Sequence, residues 1–325
     1  MTPRAEKIRN VAAVTLLLVA GIVFTPSTPA RAPQAGAPPA GRGPAADPMI
    51  PENSVTKVSD HVYAIVAFPN IGFVVGDRSI LVVDTGLGPR NGAIVAKEAT
   101  KLAPNHTMYL TTTHFHPEHA AGDEGFPPSA ILVRPAVQQK ELEDDQNAMV
   151  NRFSGMSAQN KELLQDVKFR KPDILFEKEL TLDLGGVTAR LFWMGAAHTL
   201  GDEMIFVEPD KTLIPGDIVM NKTLPNLPGS NARLNNWITI LGQLRSLGAL
   251  HVLPDHGALG DGSLIGQEYD LLSALQSRAL ELKRRGKSAS EAGQTVLAEF
   301  KIKYADWPNL NGIPGLVNHV YSENP

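Results

Sequence analysis

The sequence predicts an α/β or α+β fold with layered sheets. Three short apolar runs in hairpin spacing come first, later strands alternate with helical stretches, and two helical segments close the chain. Residues 62–66, 71–75 and 79–83 read as strands, because turn residues such as Pro69-Asn70 and Gly76-Asp77 separate them. Residues 92–102 read as a helix and 107–112 as a buried strand. A polar helical region over 136–166 leads to strands at 180–184, 188–193, 204–207 and 212–215. A helix at 235–247, a short strand at 252–253 and helices at 264–285 and 288–303 complete the body. In the tail, Trp307, Leu310, Leu316, Val317 and Val320 point to packing rather than disorder.

The first 32 residues read as an export signal. Arg4, Lys7 and Arg9 precede an apolar run over 11–24, and Ala30-Arg31-Ala32 offers a small-residue cleavage site. The run is short for a membrane span, so cleavage near Ala32 would leave a periplasmic or secreted protein with no stable membrane insertion. Residues 33–50, rich in Ala, Pro and Gly, read as a disordered linker.

Composition narrows the chemistry. The 325-residue chain carries a formal charge of −4. Arg4, Lys7, Arg9 and Arg31 against Glu6 make the signal three charges positive, so the remainder lies near −7. Such a surface lacks the basic field that nucleic acid needs. The absence of cysteine excludes disulfides, thiolate metal sites and a Cys nucleophile, and no G-x-S-x-G motif is present. Any metal must be held by His and carboxylates.

The densest chemistry is Thr113-His114-Phe115-His116-Pro117-Glu118-His119, directly after the strand at 107–112. Three imidazoles and a carboxylate this close are not a packing pattern, since His and Glu are rarely buried without partners. On an extended strand end residues two apart point the same way, so His114 and His116 can share one metal. A turn after Pro117 would bring Glu118 and His119 toward a second, and this donor set suits zinc. Downstream, His198 (in Gly195-Ala196-Ala197-His198), Asp217 (after Pro215-Gly216) and His256 (in Pro254-Asp255-His256-Gly257) each follow a strand beside a glycine. Together they supply the ligands the first cluster lacks.

These motifs resemble the metallo-β-lactamase superfamily, whose signature is H-x-H-x-D-H followed by a His, a bridging Asp and a final His, all at strand ends. Val82-Val83-Asp84-Thr85-Gly86 matches a further element of that family. The resemblance implies a four-layer αββα sandwich of two mixed sheets over a domain at 51–262, followed by a helical extension at 263–325. It also implies one zinc on His114, His116 and His198, a second on Glu118, His119 and His256, and Asp217 as the bridging carboxylate. Glu118 and Asp217 would act in catalysis, with Asp84 orienting the ligand histidines through hydrogen bonds. The loop acid is Glu118 where the family has Asp, one methylene longer than the pattern.

The implied activity is hydrolysis of a small carbonyl substrate: an ester, lactone, β-lactam or thioester. Two other readings share the ligand set: a mononuclear iron enzyme like the sulfur dioxygenases, and a non-catalytic accessory protein of the same fold. Met149, Phe153, Met156, Met220 and Trp237 are candidate lining or core. Asp202, beside His198, fits a turn-forming role as well as an orienting one. Asp123, Glu124, His61, His106, His251 and His319 lie outside the constellation.

Overall fold

A computed structural model describes residues 47–225, 227 and 231–324. The expected signal and most of the linker lie outside the described residues. The last linker residues do not lie free. Asn91 Nδ2 donates to Pro48 O (2.7 Å), and Ile50 N donates to Asn91 Oδ1 (2.9 Å), with the Ile50 side chain buried. An apolar Ile beside a buried amide is enough to dock this segment, despite the Pro/Gly-rich run before it.

The first sheet runs in sequence order: β1 (Val55–Lys57), β2 (Val62–Ile65), β3 (Ile71–Val75), β4 (Ser79–Val83), β5 (Thr107–Thr111), β6 (Ile131–Pro135) and β7 (Ile174–Phe176). Pairing is antiparallel through β4 and parallel from β4 to β7, with α1 (Pro89–Leu102) as the crossover between β4 and β5. Then come α2 (Pro117–Ala120), between β5 and β6, and α3 (Ala136–Ser154) and α4 (Ala158–Leu163), between β6 and β7. The second sheet contains β8 (Glu179–Asp183), β9 (Thr188–Trp193), β10 (Glu203–Glu208), β11 (Thr212–Ile214) and β12 (His251–Val252). Helices α5 (Leu234–Leu244), α6 (Ser263–Arg284), α7 (Ala289–Lys303) and α8 (Ile313–Glu323) complete the chain.

Alternation along the strands explains the layering. In β4, Leu81 and Val83 face the second sheet while Ile80 and Val82 join the apolar layer that contains Val95, Ala96 and Ala99 of α1. In β10, Ile205 and Val207 face the first sheet, whereas Met204 and Phe206 pack with Trp237 of α5 and Leu271 of α6. Strands buried on both faces read as continuous apolar runs, as these do. The result is the expected helix–sheet–sheet–helix sandwich. The expected helical extension shares one apolar cluster with β9 and β10, and the tail residues Trp307, Leu310, Leu316, Val317 and Val320 are all buried in it. Helix α8 was read in the sequence only as packing.

Strands β1, β6 and β7 were not read from the sequence. Two of them are three residues long, and β6 contains a buried Arg134 and ends on Pro135, which masks its apolar pattern. The residues after β4, β5, β9, β11 and β12 meet one another: Thr113 reaches Asp84 and Asp255, His198 reaches His116, and His256 reaches Asp217. Their following loops therefore converge at one end of the sandwich.

Helix α1 lies close to the loop after α2. A Cβ placed on Gly92 would sit 1.8 Å from Gly122 O, far inside contact distance. Helix propensity alone makes Gly92→Ala stabilising by about 1 kcal/mol. Overpacking against a backbone carbonyl outweighs it, so the expected net loss is about 1–2 kcal/mol. A urea midpoint that fails to fall, at unchanged m, would refute this close approach.

Candidate metal centre

Asp84 stands at the end of β4 with φ 68°, a left-handed conformation that is strained for a residue other than glycine. This turn aims its carboxylate across to the next strand. Thr113 N donates to Asp84 Oδ1 (2.7 Å), and His119 Nδ1 lies 2.9 Å from Asp84 Oδ2. Thr113 Oγ1 also donates to Asp255 Oδ2 (2.7 Å), which itself lies 3.3 Å from His119 Nδ1. With Nδ1 held by two carboxylates, His119 turns Nε2 inward, and that buried atom has no hydrogen-bond partner.

The seven predicted ligands do meet. His114 Nε2 and His116 Nδ1 are 2.9 Å apart, and His198 Nε2 is 3.3 Å from His116 Nδ1. Glu118 Oε1 lies 3.8 Å from His119 Nε2. Asp217 stands between the two groups, with Oδ2 3.4 Å from His198 Nε2 and Oδ1 3.2 Å from His256 Nε2. Donor atoms of His114, His116 and His198 lie within 4.8 Å of one another, as do those of Glu118, His119 and His256, and those of His114, His119 and Asp217.

The donor set fits a divalent cation. Ligand nitrogens about 2.0–2.1 Å from one tetrahedral ion lie about 3.3–3.4 Å apart, close to the spacings here. Burial, then the neighbouring histidines, holds His114 and His116 well below the usual imidazole range, so both present lone pairs. Burial also lowers His256. For His119 burial opposes charge, but Asp84, Asp255 and Glu118 outweigh it and raise the group well above its ordinary value. Converging lone pairs in a dry pocket repel one another unless a cation lies between them.

The loops around the centre are built to hold these side chains. Gly216 has φ 61°, and a Cβ there would meet Thr113 Cβ at 2.9 Å, so only glycine lets the Asp217 turn close on the motif. Asp202 shapes the turn that carries His198: its carboxylate accepts from Ala197 N (3.1 Å), Thr199 N (2.9 Å) and Thr199 Oγ1 (2.6 Å). Glu141 of α3 accepts from Leu200 N and Gly201 N (3.0 and 3.1 Å). Gln138 Nε2 donates to Thr112 O and Gly201 O.

Sequence reading missed Asp255, Glu141, Gln138 and Asn70. Asn70 N donates to Asp255 O, and Asn70 Nδ2 donates to Pro254 O and Gly257 O, bracing the His256 loop. The only available signal for Asp255 was its position directly before a candidate ligand. Asp123 is buried as an acceptor for Arg170 N beside Arg134, and it joins none of the candidate ligand groups. Of the candidate lining, Phe153 is buried with its ring 6.2 Å from that of His116, Met156 is exposed, and Trp237 meets the His198 ring edge-on at 5.8 Å. Phe68, unassigned in the sequence, stacks on His256 at 4.5 Å. His61 pairs with Asp210, and His319 with Ala232 O and Glu323, both outside the centre.

A model of the metallo-beta-lactamase superfamily matches residues 64–265. The chain belongs to this superfamily. Its members are typically metal-dependent hydrolases, and this member carries the fold and a His/Asp cluster able to hold metal. Among solved structures it is similar to a metallo-beta-lactamase from Pontibacter korlensis, with TM-score 0.56 and 20% identity over 67% of this chain and 98% of that one. The DIM-1 metallo-beta-lactamase matches at TM-score 0.54 and 18% identity, over 69% and 98%. The sec-alkylsulfatase Pisa1 from Pseudomonas sp. matches at TM-score 0.65 and 15% identity, over 83% of this chain and 50% of that one. This chain thus spans half the length of the alkylsulfatase, and at these identities the likeness is one of fold. No curated protein matches the sequence. Among the described residues no helix is long and apolar enough to cross a membrane.

Burial, first, and then the nearby Glu141 push Asp202 up to about 8, while burial raises Glu141 to about 7. A carboxyl raised on folding binds its proton more tightly in the native state. Its contribution to stability therefore falls as pH rises from its unfolded value near 4 toward 8. Asp202→Asn removes that slope. In chelator, urea unfolding of the variant should gain on the parent steadily between pH 4 and 8. A constant gap across that range would count against a neutral Asp202.

Proposed function

We propose that this superfamily member is an exported zinc-dependent hydrolase of small carbonyl substrates: esters, lactones, β-lactams or thioesters. The observation that carries this reading is the position of Asp217 between two donor groups, beside His198 on one side and His256 on the other. His114, His116 and His198 would hold one zinc, Glu118, His119 and His256 the second, and Asp217 would serve both. When bound, zinc supplies a Lewis acid and lowers the pKa of water toward about 7.

The chain's own residues have separable tasks. Asp84 and Asp255 both engage His119 Nδ1, which would leave Nε2 facing the centre as the ligand atom. Glu118 and Asp217 would orient the attacking water and accept its proton. The hydroxyl of Thr113 is committed to Asp84 and Asp255, and that of Thr199 to Asp202, so neither is available as a nucleophile. Phe68 and Phe153 set apolar rings beside His256 and His116. Support for export comes from residues 1–32 alone: a basic start, an apolar run and a small-residue exit.

Glu118 also supports two ions rather than one. Although one methylene longer than the family's Asp, it rides on the single turn of α2, within 4.8 Å of donor atoms on His119 and His256. This favours a dinuclear hydrolase over a mononuclear iron enzyme or an inactive accessory protein.

Elemental mass spectrometry on chain lacking residues 1–32, purified without chelator, should find about two zinc per chain. One iron, or no metal, would overturn the proposal. His116→Ala removes one ligand and should lower kcat/KM on the best ester or lactone by about a thousandfold, the several kcal/mol that metal polarisation supplies. Alkyl sulfates belong in the same screen, because the alkylsulfatase shares the fold over the larger part of this chain.

A further inference from the structure

The C-terminal helices reach the metal centre through the first turn of α5. Arg233, the residue before α5, donates its backbone N–H to Ala197 O (2.7 Å), and Asn236 Nδ2 donates to Ala196 O (2.8 Å). Both carbonyls belong to the turn that presents His198. Trp237 Nε1 donates to Ile218 O (2.9 Å), one residue past Asp217, while its ring rests against the His198 ring. One helical turn therefore sets two ligand-bearing loops at once.

That turn has no side-chain cap from its own N-cap residue. Its leading N–H groups, on Leu234 and Asn235, donate instead to the Glu323 carboxylate of α8, at 2.7 and 2.9 Å. His319, one turn earlier on α8, lies 2.9 Å from Glu323 Oε1 and 3.0 Å from Ala232 O through the same Nε2. A carboxylate on two backbone donors at the positive end of a helix dipole is a strong, directional tie. The route from the end of the chain to the ligands is thus short: Glu323, the first turn of α5, then the His198 and Asp217 loops.

We propose that Glu323 is a positioning residue for the metal centre, capping α5 from α8 so that His198 and Asp217 stay at ligating distance. The proposal rests on the reading that these two residues hold zinc. It assigns the C-terminal helices a task in metal binding as well as in burying the outer face of the second sheet.

A purely structural tie would lower stability without changing metal affinity, so zinc affinity decides the matter. It can be measured on the full-length chain by competition with a chromophoric chelator, in the parent, Glu323→Ala, Glu323→Gln and Val296→Ala. Val296 is buried in α7, and truncating it opens a cavity in the same helical layer while leaving the hydrogen bonds of the α5 cap, made by Glu323, in place. Glu323→Ala should weaken zinc binding about tenfold, at the lower end of the effect of removing a group that orients ligands. Glu323→Gln, which keeps one acceptor oxygen, should fall between it and the parent. Val296→Ala should lower the melting temperature yet bind zinc like the parent. Parent-like affinity in Glu323→Ala, or an equal loss in Val296→Ala, overturns the proposal. A parent chain that takes up no zinc overturns the functional reading beneath it, an outcome separate from either.

Discussion

The centre of this molecule depends on a knot of hydrogen bonds around Thr113. Its backbone N–H and hydroxyl are both within reach of Asp84, and the hydroxyl also meets Asp255. Asp84 closes β4 in the first sheet, and Asp255 follows β12 in the second, so a single threonine ties the two sheets at the end where the ligands gather. Two buried carboxylates this close cannot both remain charged at low cost. Burial, then the charge of Asp84, pushes Asp255 up to about 7, and the shared protons of Asp255, Thr113 and His119 make the cluster tolerable. The strain stored at Asp84 is held by these bonds, as expected where a site is specified more tightly than the backbone prefers.

Around this knot the polar groups form a continuous buried layer. Glu203 N donates to Thr113 O, and Thr111 Oγ1 donates to the Glu203 carboxylate. Burial raises Glu203 well above the usual carboxylate range despite that bond, so its value lies in register rather than in charge. Gln138, Glu141 and Asp202 then satisfy the backbone of the His198 turn. A loop that would otherwise bury unpaired amides is thereby made rigid, which a centre holding donors to within tenths of an ångström requires.

Both sheets are buried on both faces, and this constrains everything outside the site. The second sheet must be covered by helices because Met204, Phe206 and Leu213 point away from the first. Helices α5 to α8 are that cover. Cover and centre are joined because α5 begins at the same end of the sandwich as the ligand loops, and its first turn faces both His198 and the segment after Asp217.

Much of the fold was legible because strand and helix periodicity are local. The alternating runs at β2, β3 and β4, the helices and the burial of the tail all follow from side-chain spacing that neighbours alone impose. The candidate donor cluster was legible for a similar reason: His114, His116, Glu118 and His119 occur within one short stretch whose composition has no packing explanation. What sequence could not show is which distant residues complete each bond. Asp255, Glu141 and Asn70 are unremarkable in the chain, and their roles exist only because two sheets pack face to face and bring their loops together. Short strands such as β1 and β7 were hidden likewise, since three residues carry too little period and are held by pairing. The sequence by itself determined the candidate donor residues and most of the local elements. The tertiary structure decided their distances, the pairing of His119 Nδ1 with two carboxylates and the capping of α5 by Glu323, because each depends on contacts between segments far apart in the chain.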